Sequence, residues 1–128
     1  MAEVTACLPD AHPRTRVSLL RQQAILALAM GQPRAAGFIA QALSEAPPNR
    51  HHVLRFIRGD INLLISHDPA AALADYDHAL AGYARSAFNR VLVLINRGVA
   101  LLVLGRIAEA REAAREGRPL LHLSLIHI

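Results

Sequence analysis

The 128-residue chain has no Trp, no Lys and a single Cys. Cys7 has no second thiol to pair with, so no disulfide framework holds the fold, and a reducing cytoplasmic setting is expected. Aromatic residues are 4% of the chain, too few to build a stacking platform for single-stranded nucleic acid. Long apolar runs are missing too. The longest spans residues 91–104 and contains Asn96 and Arg97, against the roughly 20 apolar residues that a bilayer-crossing helix requires. Residues 1–5 include Glu3 and no basic or apolar stretch, so no secretory leader is expected. Glycines occur singly, which excludes a phosphate-cradling loop, and neither Cys7 nor any Ser sits in a nucleophile motif.

What is present favours helices. Hydrophobic residues make up 53% of the chain, chiefly Ala and Leu, which suits close helix packing better than sheets. The net charge is +4, with all 14 basic residues being Arg. A uniform preference for Arg over Lys, alongside abundant Ala, reads as genome composition. The charges are also spread along the chain and interleaved with acids, so nucleic acid is not the expected partner.

Pro and Gly divide the chain into segments of helical period. A first helix is expected over 15–30, with Val17, Leu20, Ala24 and Leu28 on one face, closed by Gly31. Pro33 would open a second helix ending before Pro47-Pro48. Asn49 would cap a third helix running to about Ser66, and Asp68-Pro69 would cap and open a fourth. A break near Ser86, a fifth helix to Leu104 closed by Gly105, and a sixth over 106–116 complete the series. The expected class is all-α, with short turns forcing antiparallel neighbours.

An internal repeat supports this reading. Residues 56–65 (FIRGDINLLI) recur at 95–104 (INRGVALLVL), 39 residues later, and Ala72 is answered by Ala110. A weaker first copy places Ala24 and Ala36 at the matching sites, giving small-to-small spacings of 12, 13 and 12 residues. Gly in a helix interior costs about 1 kcal/mol relative to Ala. Gly59 and Gly98 are therefore expected to receive a close-packed neighbour, with Ala36, Ala72 and Ala110 allowing the approach.

This pattern resembles the tetratricopeptide repeat. Gly98, Leu101, Gly105, Ala110 and Ala114 match one copy. Gly59, Ala72 and Tyr76, within Asp75-Tyr76-Asp77, match another, and Ala24, Gly31, Ala36 and Pro48 match a third. The family's Trp is missing, its first-helix Tyr is replaced by Ala27, Asn62 and Leu101, and the turn after Ser66 is one residue longer. The resemblance implies about three helix-hairpin repeats over 14–118, after an irregular lead-in at 1–13. Residues 119–128 do not continue the repeat and read as a non-native or truncated end. It also implies a binding scaffold rather than an enzyme, a segment of a larger bacterial protein whose first helices line a groove for peptide ligands. The rival readings are the repeat portion of an enzyme or DNA-binding regulator, and a small basic nucleic-acid-binding protein.

In such a groove, Arg55, Arg58, Asn62, Asn96 and Arg97 would form a ladder for a carboxylate or acidic peptide. The alternative is that these side chains pair with acids on adjacent helices. Phe56, Leu63, Leu64, Leu94 and Leu102 are assigned to the core. Asp75 and Asp77 diverge on a helix and read as a solvated face. His51, His52, His67 and His78 lack ligand spacing and read as exposed helix and turn residues, so no metal or cofactor is expected.

Overall fold

The computed structural model describes residues 12–112 and 114–116. Among these residues there is no strand. Five helices, α1 (Pro13–Ala29), α2 (Ala35–Glu45), α3 (His51–Leu64), α4 (Pro69–Gly82) and α5 (Ala87–Val103), precede a helical stretch at 107–112 and 114–116, here α6. A 3-10 turn, Pro48–Arg50, joins α2 to α3.

Local chemistry explains most boundaries. His12 Nδ1 accepts from the Arg14 amide at 3.2 Å, with Pro13 in the first turn. Asp68 accepts from the Ala71 amide at 3.1 Å, with Pro69 behind it. Ser86 Oγ takes the Asn89 amide and opens α5. Gly31 (φ 66°) and Gly105 (φ 77°) close α1 and α5 in the same way. The following amides, Gln32 and Arg106, reach back to Ala27 and Leu101 carbonyls, each at 2.8 Å. After α3 the left-handed residue comes one position later and is His67 (φ 53°), which matches the longer turn read from the sequence.

Three boundary expectations are corrected. Asn49 does not cap α3; it lies inside the 3-10 turn, and Arg50 precedes the helix without a side-chain cap. Pro33 does not open α2. It stays in a turn whose carbonyl accepts from the Ala36 amide, and the helix starts at Ala35. The fourth helix ends at Gly82, before the expected break at Ser86.

Consecutive helices pack against one another, and α3 also touches α1 and α5. Leu20, Ala24 and Ala27 of α1 meet Ala35, Ile39 and Ala42 of α2, with Leu54 and Ile61 of α3 closing the first core. Ala72, Tyr76 and Ala79 of α4 meet Val93 and Ala100 of α5 in the second, against Phe56 and Leu63. Ala at many of these contacts lets the backbones approach closely. A small third cluster joins Leu73, Leu101 and Ala110.

The small-residue rule holds in one copy fully. A Cβ on Gly59 would stand 2.6 Å from the Tyr76 ring. Around Gly98 nothing lies within 4 Å of such an atom, because the residue four after Ala110 is Ala114, whereas the residue four after Ala72 is Tyr76. In the first copy Ala35 is buried and Ala36 exposed, so the register is shifted by one. Leu64 and Leu102, expected in the core, are 63% and 56% exposed.

Candidate functional site

The five side chains of the expected ligand ladder are all engaged by acids of the chain itself. Asp75, on α4, is 1% exposed. Its Oδ1 accepts from Arg55 Nε at 2.5 Å and from Arg58 Nη2 at 2.8 Å, and its Oδ2 from Asn62 Nδ2 at 3.0 Å. Arg58 Nε completes a forked contact at 3.1 Å from Oδ2. A buried carboxylate is stable only with such charged and hydrogen-bonded partners. The expectation that Asp75 faces solvent is therefore overturned; Asp77, on the opposite side of the helix, is exposed and pairs with Arg97 at 2.7 Å.

A second, half-buried node ties α3 to both α4 and α5. Asp60 Oδ1 accepts from Tyr76 Oη and, at 2.9 Å, from Asn96 Nδ2. Burial raises the Asp60 carboxyl above its ordinary value of 3.8, and the two hydrogen bonds only partly oppose this. Tyr76 is pushed upward by burial and by the neighbouring Asp60 charge. Phe56 stacks edge-on against Tyr76 and Tyr83, with ring centroids 6.1 and 6.5 Å apart. Arg55, Arg58 and Asn62 thus tie α3 to α4, Asn96 ties α5 to α3 and Arg97 ties α5 to α4, the second of the two readings open for them.

Two histidines are also less exposed than expected. His51 lies 2.9 Å from the Ala46 carbonyl and His52 packs its ring on Tyr83, both half-buried. His67 and His78 are exposed. Among the described residues no three His, Cys, Asp or Glu side chains gather at a possible metal centre. No helix there is long and apolar enough to cross a membrane.

The open site lies elsewhere. A groove of about 610 Å³ runs between the start of α1, the end of α2 and the start of α3. Val17, Pro47, Val53 and Leu54 supply apolar wall, and Arg14, Arg21 and Arg50 supply charge. The one acid on it, Glu45, is bound by Arg16 at 2.5 Å. No carboxylate of the described residues pairs with Arg14, Arg21 or Arg50, and the Arg21 Nε is buried without a hydrogen-bond partner. Arg16 Nε and Glu45 Oε2 are likewise buried without one.

The ligand ladder read from the sequence did not include these three arginines, although one signal was available. Between residues 12 and 59 the only acid is Glu45, among seven arginines (14, 16, 21, 34, 50, 55 and 58), and only Glu3 and Asp10 precede it. Between 60 and 116, seven acids face six arginines. The first segment cannot neutralise its own cations.

No family model matches the chain, and no curated protein or solved structure matches it.

Proposed function

We propose that this chain is a helical-repeat binding module that takes an acidic, partly apolar peptide segment in the groove between α1 and α3. The observation that carries the reading is a groove with an apolar wall and three arginines that no carboxylate of the described residues neutralises. Guanidinium groups bind carboxylates with charge-assisted hydrogen bonds, and the apolar wall takes the side chains between them. The resemblance to tetratricopeptide repeats, in which first helices line such a groove, supports the same assignment, as does the small-residue pairing of Gly59 with Tyr76. The module binds rather than catalyses. It fits a cytoplasmic setting within a larger bacterial protein.

The test uses a fluorescein-labelled peptide of alternating Glu and Leu, titrated with the full chain and followed by anisotropy. Arg14→Glu, Arg21→Glu and Arg50→Glu should each weaken binding about tenfold or more, since a hydrogen bond to a charged group contributes about 1.5–3 kcal/mol. Arg97→Glu, at a pair outside the groove, should change it less than about threefold. Circular dichroism controls for folding. Equal losses from all four variants, or no binding at millimolar protein, would sink the reading. Tighter capture of single-stranded DNA than of the peptide, with a steep salt slope, would favour nucleic acid instead.

A further inference from the structure

Helix α5 is apolar on two opposite sides. One side, Val91, Val93, Leu94, Ala100 and Leu101, is buried. The other carries Phe88 (55% exposed), Leu92, Ile95 (57%), Val99 and Leu102 (56%) in open solvent. Their spacing of four, three, four and three residues draws one straight stripe along the helix, as in a helix–helix seam. A helix that is apolar all round is normally covered all round.

The repeat identifies what covers such a stripe. Aligned on their last residues, Ala29, Leu64 and Val103, the three first helices correspond position by position. The α5 stripe then matches Val53, Phe56, Asp60 and Leu63 of α3. That trailing face of α3 is half-buried. It receives the leading face of α5: Phe56 and Leu63 pack on the cluster holding Val93 and Ala100, and Asp60 bonds Asn96. The leading face of α3, Leu54, Ile57 and Ile61, packs in the same sense on the core of α1 and α2. On α1 the corresponding residues are Leu19, itself half-buried against the first core, Gln22 and Leu26, with Met30 one turn on. Leu26 is 45% and Met30 59% exposed, and Gln22 is exposed. Among the described residues, α5 therefore shows an exposed trailing face, and the leading face of α1 is exposed at Gln22, Leu26 and Met30. Neither set contains an ionised side chain that would have to be desolvated.

We propose that the trailing face of α5 docks the leading face of α1 from a second copy of this chain, stacking copies head to tail through the faces that correspond to those joining α3 to α5. This inference does not depend on the peptide groove. Such a contact is heterologous and does not close on two copies.

Sedimentation equilibrium of the full chain, from micromolar to millimolar, tests it. The weight-average mass should rise from 13.9 kDa with concentration and pass beyond the dimer. Ile95→Glu and Leu26→Glu each change an exposed residue, and helicity by circular dichroism verifies that both variants fold. Each variant alone should remain monomeric, because one face is blocked in every copy. An equimolar mixture should form a dimer and nothing larger, because only one pairing of intact faces remains. A wild-type chain that stays monomeric at millimolar concentration overturns the proposal. So does dimerisation of Leu26→Glu alone with Ile95→Glu monomeric, which would mean that two α5 stripes meet about a two-fold axis.

Discussion

The first helix pair and the second differ in where their charges go. In the second pair, α3 and α4, Asp75 gathers Arg55, Arg58 and Asn62 at a buried carboxylate, and Asp60 gathers Tyr76 and Asn96. In the first pair, α1 and α2, the single acid Glu45 holds Arg16 in a half-buried ion pair, and Arg14 and Arg21 line a groove. The same residue type, Arg on a first helix, is paired with a buried acid in the second pair, while in the first pair Arg14 and Arg21 have no carboxylate partner among the described residues. Basic composition alone therefore says little about where a ligand binds; local neutralisation says much more.

The largest expected effect tests that contrast directly. Asp75→Ala removes a carboxylate 1% exposed and leaves two guanidinium groups and an amide without their acceptor. Breaking a buried pair in this way costs about 3–5 kcal/mol. Glu45→Ala removes a more exposed partner and should cost about 1 kcal/mol or less. Urea denaturation of the two variants measures both. Equal losses would mean that the two repeats do not differ as described.

The glycines give a second, smaller contrast within the repeat. Gly59→Ala drives a methyl to 2.6 Å from the Tyr76 ring, and overpacking of this kind costs about 1–3 kcal/mol. Gly98→Ala meets nothing within 4 Å and should raise stability by up to about 1 kcal/mol through helix propensity. Opposite signs in thermal denaturation are expected at two positions that the sequence repeat makes equivalent. Tyr76→Leu and Gly59→Ala together should cost less than the sum of the two alone, since the clash is with the ring.

Much of the fold was legible in the sequence, because its determinants are local. Asp68-Pro69, Ser86, Gly31 and Gly105 act within a few residues of themselves, and they bound the helices as expected. Expectations failed where neighbouring signals compete or where packing between helices decides. Asn49 has cap chemistry, but Pro47-Pro48 hold it in a 3-10 turn. Ala36 and Ala35 are both small, so spacing alone could not fix which one faces α1. The candidate site was hardest, since pairing of Arg58 with Asp75 or Arg97 with Asp77 depends on helix packing that spacing does not encode. The acid shortage of residues 12–59 was readable, and it marks the groove.

Asp60 supplies the smallest expected effect and the finest test of how the second pair is held. Burial raises its folded-state carboxyl above 3.8, against the hydrogen bonds from Tyr76 and Asn96. In the window just above 3.8 the folded chain therefore binds more protons at this site than the unfolded chain does. Linkage then requires that the site's contribution to stability falls as pH rises through that window, and is constant above it. Asp75 and the other acids follow their own dependence, so the informative quantity is the difference between wild type and Asp60→Asn. The amide oxygen of Asn still accepts from Tyr76 and Asn96 but cannot ionise. At pH 7 the variant should lie within about 1 kcal/mol of wild type. On acidification, wild type should gain relative to the variant as pH falls into the carboxylate range, read from denaturation midpoints between pH 7 and pH 3. A difference that stays flat would mean that Asp60 is solvated like a surface acid. A difference that moves the other way would mean that its hydrogen bonds outweigh its burial.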